Sequence, residues 1–174
     1  MDTGRIALFL KDRIQLANPE SNVVVPERIA LPNEVFDPAD FDIWFEIAVV
    51  PGTQSAYTEF DDLAACAATV AVCVPENTGF ARAHNIAGRI RSLFSAQDPA
   101  RGRFRIGAGE AIVRESGITP GILDSHVYKV AAKILMEIYE PAAPPPPPPP
   151  FPPPPRPSPN PQGGGNGRNP EGPP

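Results

Sequence analysis

LPNEVFDPADFDIWFEIAVVP, Leu31 to Pro51, joins a turn-rich lead to one apolar run, and the fold class follows from how that run is read. Turn formers crowd Pro32-Asn33 and Pro38-Ala39-Asp40. Phe41 to Val50 then predicts a strand, stopped at Pro51-Gly52. At period two, Phe41, Ile43, Phe45, Ile47 and Val49 share one wholly apolar face that belongs in a core. Asp42, Trp44, Glu46, Ala48 and Val50 share the other. Trp44 is the single Trp of the chain. Set between two carboxylates, it reads either as a contact surface or as a ring packed under a loop or helix of its own domain.

Outward from this strand, the flanks supply helices and further strands. Thr3 predicts an N-cap for a helix over about Gly4 to Ala17, with Ile6, Leu10, Ile14 and Ala17 as its stripe. Asn18-Pro19 ends that helix. Val23-Val24-Val25 reads as a short strand limited by Pro26. Thr53 to Asp62 reads as a loop or the start of a strand. Ala64 to Val74 predicts a strand ended by Pro75, with a helix open for its Ala-rich beginning. Asn77-Thr78-Gly79 leads into a helix over about Phe80 to Ser95, burying Ala83, Ile86, Ala87, Ile90, Leu93 and Phe94. Arg101 to Ile106 alternates as a strand whose solvent side carries Arg101, Arg103 and Arg105. Gly107-Ala108-Gly109 turns it into a returning strand, Glu110 to Glu115. Thr119-Pro120-Gly121 fits a type II turn. His126 to Tyr139 satisfies both periods and is taken as a strand on its Tyr128, Val130, Ile134, Ile138 face. The order α-β-β-β-α-β-β-β predicts an α+β domain: a single, mostly antiparallel sheet with two helices packed on one face.

Composition divides the chain in two. From Pro141 onward there are 18 prolines, five glycines and one large apolar residue, Phe151. Such a segment cannot offset its ordering entropy, so residues 141–174 read as a disordered Pro/Gly-rich tail behind a domain at 1–140. Pro144 to Pro155 predicts stiff polyproline II, and Phe151-Pro152-Pro153-Pro154-Pro155 resembles an EVH1 ligand. The simpler reading is a solvated spacer. Net charge is −5 over 174 residues, which opposes general nucleic-acid binding. Residues 1–62 carry −8 and residues 63–114 carry +4. That polarity is solvated surface, or it gives the molecule an acidic and a basic side able to stack in a ring. Cys66 and Cys73 read as reduced, buried thiols, too few for a metal site or a disulfide framework. No secretion signal and no membrane-length apolar run is legible.

No catalytic constellation is legible either. Asp124-Ser125-His126 has triad residue types, but chain neighbours on an extended segment point apart and cannot converge. Gly107-Ala108-Gly109 lacks the third glycine and the strand–helix setting of a dinucleotide site. His84 and His126 have no metal-ligand spacing, and His84 reads as solvated on its helix. Arg82, Arg89, Arg91, Arg101, Arg103 and Arg105 form a basic cluster that could bind phosphate or nucleic acid, against the acidic balance of the chain. No cofactor is expected.

The order of features resembles the tail terminator, or tail completion, proteins of long-tailed bacteriophages, the lambda protein U-like group. The residues that carry the resemblance are Pro32, Asn33, Phe36, Pro38, Trp44 and Pro51. A second set follows at Pro75, Gly79, Ala83, Ile86, Ala87, Ile90 and Phe94. Coverage runs over about residues 4–140. The sequence departs from the pattern where His126 and Tyr128 lead the last strand in place of a Trp, and in the Pro-rich tail. The resemblance implies a non-enzymatic ring, a hexamer in most of the family, that caps the tail tube and ends its polymerisation. It implies further copies of the chain, the tube protein and a head-closure or connector protein as partners. DNA would pass through without being specifically bound, with the arginines at 82–105 lining that channel or sitting at a subunit seam, and no membrane is involved. The expected place is the virion neck, after synthesis in the host cytoplasm. Another neck or connector protein of the same fold, or an adaptor recruiting a partner through the Pro-rich tail, are the alternatives.

Overall fold

The computed structural model describes residues 2–17, 26–56 and 61–141. The predicted strand at Val23–Val25 and the Pro-rich tail with Phe151–Pro155 lie outside the described residues. Elements follow in the order α1 (Thr3–Ala17), a short 3-10 turn (Pro26–Arg28), β1 (Ile29–Ala30), β2 (Trp44–Ala56) and β3 (Asp61–Pro75). Then come α2 (Phe80–Ser92), α3 (Pro99–Gly102), β4 (Arg103–Ile106), β5 (Gly109–Ile118), β6 (Ile122–Asp124) and β7 (Val127–Pro141). The architecture is α+β, as expected. The strands make one sheet in the order β1-β2-β3-β7-β5-β4, with β6 also paired to β7. Every pair is antiparallel except the two-residue β1–β2 pair.

Strand alternation sorts the sheet into an inner and an outer face. Phe45 and Ile47 of β2, Ala68, Val70 and Val72 of β3, and Val130, Ala132, Ile134, Met136 and Ile138 of β7 are all buried on the inner face. Ala111 and Val113 of β5 and Phe104 and Ile106 of β4 join them. Ile6, Leu10 and Ile14 of α1 and Ala83, Ile86, Ala87 and Ile90 of α2 fill the same core. Each helix thus buries one apolar stripe against one side of the sheet. Helix α2 lies across β3, β7 and β5. Helix α1 touches β2 and also β4, strands near opposite ends of the sheet order. The sheet is therefore curled, with α1 spanning its opening. Phe9 meets Phe104 at 5.3 Å between ring centroids, and Phe94 meets Phe104 at 5.7 Å. These rings join α1, β4 and the end of α2.

Several expectations need correction, each for a local reason. The cap of α1 is Asp2, not Thr3: its carboxylate accepts from Gly4 N at 2.9 Å and Arg5 N at 3.3 Å. Strand β2 starts at Trp44 and runs through Pro51 to Ala56. Beyond the two residues paired to β1, no described strand flanks β2 on its other side, so a proline without an N–H is tolerated there. The ladder shifts register between Pro51 and Gln54 instead of ending. Residues 53–56 and 61–62 are strand, while 57–60 lie outside the described residues. Helix α2 closes at Ser92, because Leu93 N and Phe94 N reach carbonyls three residues back, those of Ile90 and Arg91. Phe94 remains fully buried past that end. Arg101 is not on a strand: Asp98 caps a four-residue helix, accepting from Ala100 N at 2.9 Å, and β4 begins at Arg103. The type II turn at Thr119-Pro120-Gly121 is not formed, since Gly121 is not among the glycines with positive φ. Strand β6 follows it unforeseen.

Candidate functional site

The turn-rich lead is a built loop. Pro32 and Asn33 occupy the centre of a turn in which Glu34 N donates to Leu31 O at 3.2 Å, and Asn33 has φ 66°. Proline followed by a residue able to hold positive φ is the type II requirement. Phe36 stacks on Phe41 with centroids 5.8 Å apart. Asp37 Oδ1 accepts from Ala39 N at 3.0 Å, and Pro38 O accepts from Phe41 N at 3.0 Å. Arg28 donates to Asp42 Oδ1 at 2.7 Å, and Arg82 of α2 reaches Asp42 Oδ2 at 3.3 Å. Partial desolvation raises the Asp42 carboxyl, but the Arg28 hydrogen bond and the two guanidinium charges outweigh it and hold it below the ordinary range. Val35 stands out of this braced loop with its side chain wholly exposed, at 106%. Glu34, Asp37 and Asp40 surround it with negative charge.

The other residues of the resemblance also have structural work. Pro75 ends β3 and its carbonyl accepts from Thr78 N at 3.1 Å. Gly79 precedes α2 at φ 95°, a conformation that side-chain-bearing residues rarely adopt. Trp44 is 5% exposed, so the contact-surface reading fails and the packed reading holds. Its indole N–H donates to Glu46 Oε1 at 3.3 Å, and Lys129 Nζ donates to both oxygens of Glu46, at 3.2 and 3.0 Å. Beside them Cys73 is buried, and burial together with the Glu46 charge pushes its thiol up to about 12.

The outer face of the sheet is covered by neither α1 nor α2. Its rows can be traced through the register. One row runs Val50, Ala67, Leu135 and Glu115, and the next runs Ala65, Glu137, Ile112 and Arg103. A third runs Leu63, Tyr139, Glu110 and Arg105. Ala48, Thr69, Ala71 and Ala131 extend this face toward Trp44. Small side chains line the β3 stretch of this face, Ala65, Ala67, Thr69 and Ala71, where bulky or β-branched residues normally sit, and charged residues flank it on β4, β5 and β7. Between Val50, Pro51, Gly52, Ala65, Ala67, Leu135 and Glu137 lies a groove of about 360 Å³. Gly52 lets β2 lie close against β3: a Cβ there would stand 3.0 Å from Ala65 O. Val50 is 62% exposed on the rim. Arg114 Nε donates to Glu137 Oε2 at 2.8 Å, and Tyr139 OH donates to the same oxygen at 3.0 Å. That Arg114 bond is the main reason the Glu137 carboxyl lies below its ordinary range.

The arginines do not form one patch. Arg82 is tied to Asp42 at the start of α2. Arg91 donates to Ser116 O at 3.4 Å, and Arg101 pairs with Asp98 at 3.4 Å while donating to Ser92 O at 3.2 Å. Arg89 is exposed on α2. Arg103 and Arg105 point outward from β4, where Arg103 meets Glu110 at 3.6 Å. Asp124, Ser125 and His126 form the β6–β7 turn, with φ 46° at Ser125 and 72° at His126. His126 Nδ1 meets Glu76 Oε2 at 2.9 Å, and Ser125 Oγ donates to Asp124 Oδ1 at 3.2 Å. Ser125 and Asp124 bond to each other while His126 turns away to Glu76, so the three do not converge as a triad. His84 is half-buried rather than solvated, with Nε2 3.0 Å from Tyr128 OH. Sequence reasoning missed the Val35 knob and the groove. The alternation of small residues in Ala65, Ala67, Thr69 and Ala71, against Cys66, Ala68, Val70 and Val72, was the signal for the second.

Among the described residues no helix is long and apolar enough to cross a membrane, and no cluster of three or more metal-ligating side chains occurs. No family model matches the chain. No curated protein matches it in sequence. Several solved structures are similar, among them one at 17% identity with a TM-score of 0.57. The match covers 79% of this chain and 96% of that one, so what the two share is a fold.

Proposed function

We propose that this chain is a structural assembly protein of the tail-terminator kind. Copies of it form a ring that caps a phage tail tube, ends its polymerisation and offers the surface that joins the head. The observation that carries the reading is the outer sheet face. Neither helix covers its alanine-lined middle at Ala65, Ala67, Ala71 and Ala131, and such an opening between charged flanks suits close approach by another protein. The braced turn at Pro32-Asn33 and the cap at Gly79 support the resemblance, because they give its sequence pattern a conformational reason. In this reading the chain catalyses nothing and needs no cofactor. Its partners are its own copies, the tube protein and a head-closure or connector protein, and DNA passes through the ring unheld. Its place is the virion neck. A different neck protein with this fold is the nearest alternative, and the Phe151–Pro155 motif supports an adaptor.

The test is the solution mass of the full chain by light scattering at two concentrations. The ring expects one fixed multiple of the chain mass at both, six-fold by the family pattern. The adaptor expects a monomer or dimer. A single-chain mass at every concentration would rule out the free ring.

A further inference from the structure

We infer that the groove on the outer sheet face of one copy receives the Val35 loop of the next copy, a reading that rests on the ring proposed above. The two surfaces are complementary in shape. Val35 is one aliphatic side chain, 106% exposed, on a loop held by the Pro32-Asn33 turn, the Phe36–Phe41 stack and the Asp42 ion pairs. A rigid apolar projection loses little freedom on docking. The groove is concave and lined by Val50, Ala65, Ala67 and Leu135. Alanines on its floor, with Gly52 beside them, leave the depth that such a side chain needs.

They are also complementary in charge. The loop from Glu34 to Asp40 carries three carboxylates and no base. Around the groove, Arg114 lines one wall beside its partner Glu137, and Arg103, Arg105 and Lys133 outnumber Glu110 and Glu115 on the same face of the sheet. Opposite charges at the rim of an apolar contact fix its register and speed encounter.

The two surfaces do not meet within one chain, since Val35 is wholly exposed. The loop feeds the Trp44 end of β2, while the groove lies at Val50–Gly52, six to eight residues along the strand, or about 20–26 Å. A projection at one end and a groove at the other make a head-to-tail contact, which is the kind that generates rings. The exposed cluster of Phe80, Ile122 and Leu123 spreads over two elements and offers no single projection.

The experiment uses full-length chains and light scattering, with far-ultraviolet circular dichroism and a urea midpoint for each variant. Val35→Asp spoils the projection at a site that packs on nothing. Ala67→Arg fills the groove. With a native multimer, each variant alone is expected to fall to single-chain mass with an unchanged midpoint. An equimolar mixture is expected to give a two-chain mass, since one intact projection and one intact groove remain and neither can propagate. A native multimer whose mass survives both substitutions overturns the seam and leaves the ring standing. Variants that dissociate but do not pair in the mixture overturn the head-to-tail contact. A native chain that is single at every concentration overturns ring and seam together. If Ala67→Arg leaves the mass unchanged but opens residues 142–174 to protease, the groove holds the chain's own C-terminal segment and the seam is overturned.

Discussion

Cys66 and Cys73 show how position on a strand sets chemistry. Seven residues apart, they face opposite sides of β3, and both are buried. Burial raises the Cys66 thiol to about 11 and, with help from Glu46, the Cys73 thiol to about 12. Neither is a nucleophile at neutral pH. Between pH 9, the ordinary value, and 11–12 the unfolded chain releases thiol protons that the folded chain keeps. Their contribution to stability is thus complete below pH 9 and falls as pH rises, at up to about 1.4 kcal/mol per pH unit for each thiol. Urea midpoints at pH 8 and pH 10 are expected to differ less in a Cys66→Ala/Cys73→Ala variant than in the native chain. Native thiols are also expected to resist iodoacetamide at pH 8 until the chain is unfolded.

Elements are held by contacts between distant segments, and two substitutions test this. Phe94 lies beyond the end of α2, yet it is fully buried and packs on Phe104. Phe94→Ala is expected to lower stability by about 3–5 kcal/mol, read as a urea midpoint shift at constant m-value. Asp42 ties the loop before β2 to Arg28 and to Arg82 on α2, in a half-exposed setting. Asp42→Asn is expected to cost about 1 kcal/mol or less at neutral pH, and the loss shrinks in 1 M salt. Because the carboxyl lies below its ordinary 3.8, its contribution is complete above that pH and disappears as pH falls through the lowered value.

The long elements were legible because α1, α2, β2, β3 and β7 each repeat an apolar period over ten residues or more. Strand β6, three exposed residues, has no period to read. The bulge in β2 hid behind Pro51, which reads as a stop unless the strand is known to be an edge. Helix α3 was legible and missed: Asp98 followed by Pro99 is a cap and first-turn signature. The site was less legible. The groove is made by what two alanines of β3 omit between residues of β2 and β7, and exposure of Val35 depends on the loop that carries it.

Across the whole molecule, charge and topology have consequences of their own. An association steered by the acidic loop and the arginine-bearing face weakens as ions screen it. The proposed ring is expected to dissociate at lower dilution in 0.5 M than in 0.05 M sodium chloride, measured by light scattering across a dilution series. Salt-independent association would point to a purely apolar seam.

The pairing of β3 with β7 joins Asp61–Pro75 to Val127–Pro141, so the middle of the sheet waits for the last strand. Strands β2 and β3 can pair early, as neighbours in sequence. The wall of the groove given by Leu135 and Glu137 arrives only with β7. An incomplete chain can present the Val35 loop but has nowhere to receive one. Completion of the fold is then a licence to join: a truncated or half-folded copy could dock at the end of a growing arc, yet no later copy could add to it.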